Sequence, residues 1–110
     1  GDTKGLGIFD VDVVKFVGEE KIPHMGWNDL ENLQSSLYNN FPIHNQVYFV
    51  HSYYVPVIPE TTATCNYILP FSASIQKNNF YAFQFHPEKS STAGEILLQN
   101  FLNIWLSFRL

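Results

Sequence analysis

The sequence predicts an α/β domain in which a β-sheet packs against a helix. Several short runs rich in β-branched and aromatic residues are separated by polar turn residues, a pattern typical of strands. Only the stretch from Thr92 to Trp105 has the spacing of a well-formed amphipathic helix. Strands followed by a closing helix predict a sheet with helical cover. One helix is few for so many apolar strands, so we expect part of the cover to be missing from this chain.

The first half of the chain contains two predicted strands and one ambiguous stretch. Val11 to Val17 is rich in β-branched residues and predicts a strand. Ile22 to Trp27 is predicted to be extended, because Pro23 disfavours helical backbone at the residue before it. Asn28 to Asn40 carries leucines at helical spacing, but a helix of that length is marginal in isolation. The pattern there does not decide between helix and loop.

The second half predicts four strands. Val47 to Tyr53 has apolar side chains on both of its alternating faces, which predicts a strand buried on both sides. Further strands are predicted at Thr61–Tyr67, Ser72–Gln76 and Phe80–Phe85. Lys77-Asn78-Asn79 joins the last two, and asparagine tolerates the backbone of a tight hairpin. Because Phe80–Phe85 is almost entirely apolar, we expect it to lie centrally in its sheet.

The final helix has a predicted start and a predicted apolar face. Thr92 and Glu95 have the spacing of a capping box, in which each side chain bonds the other residue's backbone. The apolar face is formed by Leu97, Leu98, Phe101, Leu102 and Trp105.

Composition excludes several classes of protein. Hydrophobic residues make up 45% of the 110 residues and charged residues only 15%, which predicts a packed core and argues against disorder. The net charge of −4 argues against binding to nucleic acid. No apolar run approaches membrane-spanning length, and the first residues do not resemble a signal peptide. The single cysteine excludes an internal disulfide and favours a reducing compartment, so we expect a cytoplasmic protein without a membrane partner.

The tripeptide His86-Pro87-Glu88 is the strongest candidate for chemistry. It follows a predicted buried strand, and active sites collect at the carboxyl ends of strands in α/β sheets. His86 can transfer protons near neutral pH, and Glu88, two residues on, can orient its imidazole. The alternative is a surface histidine beside a glutamate that only caps the helix.

No matching nucleophile or metal site is visible. Cys65 lacks flanking glycines and lies in a β-like run, which favours a small core residue over a reactive thiol. No serine lies in a Gly-x-Ser-x-Gly turn. The histidines show no metal-ligand spacing, so we expect neither a metal nor another cofactor; they are His24, His44, His51 and His86.

Two aromatic segments allow both core and surface interpretations. Trp27, beside Gly26, is either a core ring or an exposed anchor for a partner. The segment from Tyr48 to Tyr54 offers hydroxyls and amides at a strand end, with a core position as the default for Phe49 and Val50.

Together these segments resemble class I glutamine amidotransferases, and in particular the amidotransferase subunits of imidazole glycerol phosphate synthases, which act in histidine biosynthesis. His-Pro-Glu is common to the class, whereas His-Met-Gly-Trp-Asn and Phe-Val-His-Ser-Tyr point to these subunits. The matching segments are, in order, Gly5-Leu6-Gly7, Pro23 to Asn28, Tyr48 to Tyr53, and Phe83 to Ser90.

The resemblance implies that residues 1–110 are the C-terminal part of one amidotransferase domain with a flavodoxin-like three-layer α/β fold. The N-terminal half of that domain carries the nucleophile, a cysteine in a Gly-x-Cys-x-Gly elbow. This elbow is absent here, and Cys65, in Cys-Asn-Tyr, does not match it. The implied activity is hydrolysis of glutamine to supply ammonia to a cyclase subunit, and the 110 residues alone are expected to be inactive.

The resemblance also implies roles for individual residues. His86 matches the catalytic base and Glu88 the carboxylate that orients it. Ser52 and Tyr53 match positions whose backbone holds the substrate glutamine. Three further residues match the face that docks on the cyclase, a (β/α)8 barrel: Trp27, Tyr48 and Lys89. Two alternatives stay open, a non-catalytic docking module and a different class I amidotransferase.

Overall fold

The computed structural model describes residues 3–4, 12–18, 21–42, 46–78 and 80–109. Within these ranges the chain forms short 3₁₀ turns at Ser36–Tyr38 and Pro87–Lys89, one helix, and eight strands. The elements are β1 (Thr3–Lys4), β2 (Asp12–Lys15), β3 (His24–Asp29), β4 (Gln46–His51), β5 (Tyr53–Tyr54), β6 (Thr61–Tyr67), β7 (Leu69–Lys77), β8 (Phe80–Phe83) and α1 (Ser91–Arg109). The features predicted at Gly5-Leu6-Gly7, Val11, His44 and Asn79, and for the Trp105 side chain, lie outside the described residues.

The strands form three small sheets, and each pairing in the described part of the chain is antiparallel. One sheet has the order β1-β2-β5, one is the ribbon β3-β4, and one has the order β6-β7-β8. The β3–β4 ribbon pairs six residues on each strand, from His24 opposite His51 to Asp29 opposite Gln46. The sheets and the one helix of the described residues make this a mixed α/β arrangement.

One aromatic core joins the sheets and the helix. Its largest fully buried side chains come from the segment after β2, from β4, from β7, from the first 3₁₀ turn and from α1. They are Phe16, Phe49, Phe71, Leu37 and Leu97, in that order. Within α1, Ala93 and Leu97 reach this core. Each buried aromatic ring of this kind contributes on the order of 2–3 kcal/mol by leaving water.

Several sequence predictions are confirmed. The strand predicted at Thr61–Tyr67 has those bounds. The extended stretch after Pro23 becomes β3. Asn78 adopts a left-handed φ of 57° in the β7–β8 turn, as expected of a hairpin asparagine. The ambiguous stretch from Asn28 to Asn40 resolves into the end of β3, irregular backbone and one 3₁₀ turn.

Two predictions of burial are wrong. The apolar strand β8 lies at the edge of its sheet rather than in the centre, because β7 occupies the middle position. The apolar character of β8 reflects contact with the helix instead, as Tyr81 packs edge-on against Phe101 at a ring distance of 5.5 Å. The strand β4 is buried on one face only, since Val50 is 37% exposed.

The predicted capping box is also wrong. The helix begins at Ser91, so Thr92 lies in the first turn rather than at the cap. Part of the predicted apolar face is open: of its four members with described side chains, Leu97 is buried while Leu98, Phe101 and Leu102 are exposed. Within the described residues, no helix combines the length and the apolar character needed to cross a bilayer.

The start of α1 is packed against the 3₁₀ turn before it, and Gly94 makes this close approach possible. A Cβ atom at this position would lie 1.8 Å from the carbonyl oxygen of Pro87. The backbone N–H of Gly94 donates to the carbonyl of Ser90 at 3.1 Å, so the helical hydrogen bonds begin at this residue. The turn and the start of the helix are therefore in close contact, with no room for a side chain at position 94.

We predict that Gly94→Ala lowers the free energy of unfolding by about 1–3 kcal/mol or more, because the added methyl group overlaps the Pro87 carbonyl. Helix propensity alone predicts the opposite sign, a gain of about 1 kcal/mol. Urea denaturation of the protein measures the difference. Thr92→Ala, at an exposed site in the same turn, is the control and should stay within about 0.5 kcal/mol of the parent. A stabilised Gly94→Ala variant would contradict the close approach.

Candidate active site

The side chains of His86 and Glu88 are within hydrogen-bond distance of each other, shortly after the last strand. The chain leaves β8 and enters the 3₁₀ turn Pro87–Lys89, for which His86 is the N-cap residue. The imidazole Nδ1 lies 2.8 Å from the Glu88 carboxylate oxygen Oε1. The two side chains are 39% and 59% exposed, so the pair is open to solvent. The carboxylate therefore holds the ring, which is the contact expected of an orienting group.

The electrostatics of the pair favour an ionised carboxylate. Its own backbone N–H, and then the His86 ring, donate hydrogen bonds that lower the pKa of Glu88. A carboxylate only accepts, so Nδ1 of His86 carries the proton. In the neutral ring, Nε2 then presents its lone pair to the surroundings and can act as a base.

A buried hydroxyl fixes this turn to the strand β4. Ser90 is fully buried, and its Oγ accepts a hydrogen bond from the backbone N–H of Tyr48 at 3.0 Å. The same hydroxyl donates to the carbonyl of His86 at 2.6 Å. The N–H of His86 in turn donates to the carbonyl of Tyr48 at 3.0 Å. Three hydrogen bonds thus hold the backbone of the histidine against one residue of β4.

Ser90 is a functional position that was not predicted from the sequence. A serine just before a helix is a common capping residue, and that pattern could have drawn attention to it. Its partner on β4 is 42 residues away, however, and only the fold brings the two together.

The two positions predicted to hold substrate lie where β4 ends. Ser52 interrupts the strand between β4 and β5, and its carbonyl accepts a hydrogen bond from the N–H of Phe16 at 3.0 Å. Tyr53 begins β5, pairs with Lys15 of β2, and is 46% exposed. Their backbone is thus tied to β2 as well as to β4.

Two of the three predicted docking residues share the outer face of the β3–β4 ribbon. Trp27 lies opposite Tyr48 in the register, with ring centroids 5.7 Å apart in an edge-on arrangement. Met25 and Val50 form the next pair on this face, and both are exposed. We call these four residues the outer patch. Lys89 is exposed beside the His86 turn, and it completes the set of predicted positions.

The inner face of the same ribbon carries a buried pair of histidines, His24 and His51, whose spacing in the sequence indicated no metal site. Nδ1 of His24 lies 2.9 Å from Nε2 of His51, and both residues are at least nine-tenths buried. Burial, reinforced by the neighbouring His51 ring, lowers the pKa of His24 to about 4. Burial also lowers the pKa of His51, against the opposing effect of a hydrogen bond to the Tyr53 carbonyl. Both rings are therefore neutral at pH 7.

The pattern of β4 could have indicated that His51 is buried. It follows Val47 and Phe49 at alternate positions, and both of these are fully buried. Among the described residues, no group of three or more His, Cys, Asp or Glu side chains is arranged to hold a metal ion.

Cys65 belongs to the core and not to this site. It lies in β6 with no exposed surface. Burial raises the pKa of its thiol to about 12, so the reactive thiolate is not available near neutral pH. The structure thus brings His86 and Glu88 together and leaves the only cysteine of this chain in the core.

The chain matches the model of the class I glutamine amidotransferase family over residues 6–105. It therefore belongs to that family of enzymes. The matched range includes both members of the His86–Glu88 pair, the Ser90 tether and the whole β3–β4 ribbon.

Curated relatives narrow the similarity to one kind of subunit. The chain is 55% identical over 107 residues to the imidazole glycerol phosphate synthase subunit HisH of Bacteroides fragilis strain YCH46. It is 48% identical over 101 residues to the subunit of the same name in Escherichia coli strain K12. The alignments cover 94% and 90% of this chain but 55% and 52% of those proteins. The chain thus spans about half the length of the curated relatives it matches.

We predict that Cys65 resists alkylation in the folded protein, because its thiol is buried and protonated. Treatment with iodoacetamide at pH 8, followed by peptide mass spectrometry, should recover the Cys65 peptide unlabelled from native protein and labelled after denaturation in urea. Rapid labelling of this peptide in the native protein would show that the thiol is accessible and reopen its candidacy as a nucleophile.

Proposed function

We propose that this chain is the base-bearing part of a cytoplasmic glutaminase subunit of imidazole glycerol phosphate synthase, which hydrolyses glutamine and supplies ammonia to a cyclase subunit in histidine biosynthesis. The observation that carries the proposal is the His86–Glu88 contact of 2.8 Å in a chain of the class I amidotransferase family. Similarity to two synthase subunits at about half identity supports the choice of this member of the family.

In this proposal His86 is the catalytic base and acid. Glu88 holds Nδ1–H, so Nε2 accepts the proton of a cysteine thiol as its sulfur attacks the amide carbon of glutamine. The same Nε2–H then protonates the departing nitrogen, which leaves as ammonia. Water attacks the thioester that remains, with Nε2 accepting its proton; the C–S bond breaks, the thiolate recovers that proton from Nε2, and glutamate is released. Glu88 stabilises the imidazolium that forms in each step.

The nucleophile is proposed to lie on a segment outside these 110 residues, because Cys65 is buried and protonated. The chain would then be the C-terminal part of a single domain with a flavodoxin-like three-layer fold. Two features support this. The chain spans about half of its relatives, and the apolar residues Leu98, Phe101 and Leu102 of α1 are exposed.

A groove beside Glu88 also supports the proposal that the chain is part of a larger domain. It has a volume of about 200 Å³ and an apolar lining from β8, the 3₁₀ turn and α1: Tyr81, Phe83, Pro87, Glu88, Leu97, Leu98 and Phe101. An apolar surface of this kind is normally covered in a folded domain. We infer that the remaining part of the domain packs here, close to Glu88.

Ser52 and Tyr53 are proposed to bind the amino-acid end of glutamine through their backbone. Their position between β4 and β5, with the carbonyl of Ser52 held by Phe16, gives a fixed strand edge suited to that task. The outer patch and Lys89 are proposed to dock on the cyclase, a (β/α)8 barrel. Aromatic side chains with exposed rings, such as Trp27, are typical anchors of protein interfaces.

We predict that His86→Ala abolishes glutamine hydrolysis in the full-length protein, with a loss of at least about a thousandfold in kcat, because no other group accepts the thiol proton. Cyclisation driven by added ammonia should persist in the complex, since that step does not use the glutaminase site. Glutamate release and cyclase turnover are measured separately on the same preparation.

Glu88→Gln is the companion variant. The amide keeps the shape of the side chain but loses its charge, so glutaminase activity should fall while the complex still assembles. Loss of both glutamine- and ammonia-dependent activity in His86→Ala would indicate a structural role for the histidine. Wild-type protein that binds the cyclase but releases no glutamate would favour a non-catalytic docking module.

We also predict that residues 1–110 alone release no ammonia from glutamine, because no acyl-enzyme can form without the thiol. Adding the preceding half of the full-length protein, expressed as a separate chain, should restore activity. Ammonia release by the isolated 110 residues that disappears in Cys65→Ala would overturn the assignment of the nucleophile.

A further inference from the structure

The buried histidines are part of a continuous hydrogen-bonded chain. Nδ1 of His51 lies 2.7 Å from the carbonyl oxygen of Tyr53, and its Nε2 lies 2.9 Å from Nδ1 of His24. At the far end, the amide nitrogen Nδ2 of Asn28 lies 3.4 Å from Nε2 of His24. Four residues from the inner face of the ribbon and from β5 are thus connected in one line.

The chemistry of the two ends fixes the direction of every bond. The carbonyl of Tyr53 can only accept, so Nδ1 of His51 carries the proton. Since His51 is neutral, its Nε2 is an acceptor, and Nδ1 of His24 must donate to it. Nε2 of His24 is then an acceptor for the Asn28 amide. Both imidazoles are therefore in the Nδ1–H tautomer, and each bond points toward Tyr53.

The surroundings hold the two rings in place. His24 is stacked between two aromatic rings, with centroids 4.0 Å from Tyr67 and 4.8 Å from Phe49. The ring of His51 lies 5.1 Å from both Phe16 and Phe71. A buried polar pair in such an apolar setting is costly unless each of its nitrogen atoms is satisfied. Here the chain of hydrogen bonds engages all four ring nitrogens.

We propose that His24 and His51 are positioning residues, forming a one-way hydrogen-bonded relay that sets the orientation of the Ser52–Tyr53 backbone for binding glutamine. This inference rests on the proposed function, in which Ser52 and Tyr53 hold the amino-acid end of the substrate. Neither histidine contacts the reacting atoms in this proposal.

The relay acts on one of two consecutive carbonyls that are both fixed. The carbonyl of Ser52 is held by the N–H of Phe16, and the carbonyl of Tyr53 is held by His51. Because a trans peptide is planar, fixing each carbonyl also fixes the N–H that follows it. The edge between β4 and β5 therefore presents its backbone groups in a single orientation. Releasing the Tyr53 carbonyl would leave the following peptide unit held on one side only, by the pairing of Tyr54 with Val14 of β2.

Two nearly identical substitutions at His51 separate this role from a general structural one. In His51→Asn, the amide nitrogen occupies a place close to Nδ1 and can still donate to Tyr53. In His51→Gln, the amide reaches the place of Nε2 and can satisfy His24 but not the Tyr53 carbonyl. The experiment uses the full-length protein in complex with the cyclase and measures KM and kcat for glutamine beside ammonia-dependent cyclisation.

We expect His51→Gln to raise the KM for glutamine about three- to tenfold, the effect of one hydrogen bond, with kcat and ammonia-dependent turnover little changed. His51→Asn should keep a KM within about twofold of the wild type. The relay would be overturned if both variants raised the KM for glutamine equally and this increase followed their loss of thermal stability. Wild-type protein without any glutaminase activity would instead refute the proposed function. The direction of the hydrogen bonds would then still be tested by NMR of the two histidine rings.

Nitrogen NMR of the wild-type protein tests the geometry without any substitution. Protein labelled with ¹⁵N histidine should show both buried rings as the Nδ1–H tautomer, the reverse of the form that predominates for free histidine in water. The proton on Nδ1 of His24 should also correlate with Nε2 of His51 across their hydrogen bond. An Nε2–H tautomer at either ring would overturn the proposal.

Discussion

The structure depends on how one buried hydroxyl joins the His86 turn to the β3–β4 ribbon. Ser90 accepts from the Tyr48 N–H and donates to the His86 carbonyl, and it has no exposed surface. Gly94 allows the helix to approach Pro87 closely enough for this arrangement. A buried hydroxyl that lost one partner would be left unsatisfied, which costs about 1–3 kcal/mol. Buried packing thus sets where the His86 backbone lies, and the contact with Glu88 orients its exposed ring.

Local patterns in the sequence predicted the parts of the fold that depend on neighbouring residues. Thr61–Tyr67 is rich in residues that favour strands, and Asn78 has the chemistry of a tight turn, so both could be predicted. The edge position of β8 could not be predicted, because a strand has the same apolar sequence whether its side chains pack on another sheet or on a helix. The helix start was also predicted wrongly, because Thr92 and Glu95 have the spacing of a capping box although the helix begins one residue earlier, at Ser91.

The candidate site likewise contains contacts that the sequence predicts and contacts that it does not. His86 and Glu88 are two residues apart, so their contact follows from the tripeptide itself. The Ser90–Tyr48 and His24–His51 contacts span 42 and 27 residues, and both require the register of the β3–β4 ribbon. Alternation along β4 could have indicated that His51 points inward, but it carries no information about which residue lies opposite. Contacts that depend on register are the part of a site that single-sequence reasoning misses.

The strand β4 has opposite tasks on its two faces. Tyr48 and Val50 point outward into the outer patch, while Phe49 and His51 point into the core. The sorting depends only on the two-residue period of a strand, and inserting or deleting one residue would exchange every side chain between the faces. Such an event would place His51 in solvent and Val50 beside His24, and it would disrupt the relay and the outer patch together. Over evolutionary time the length of β4 should therefore be more strictly preserved than the identity of any single residue within it.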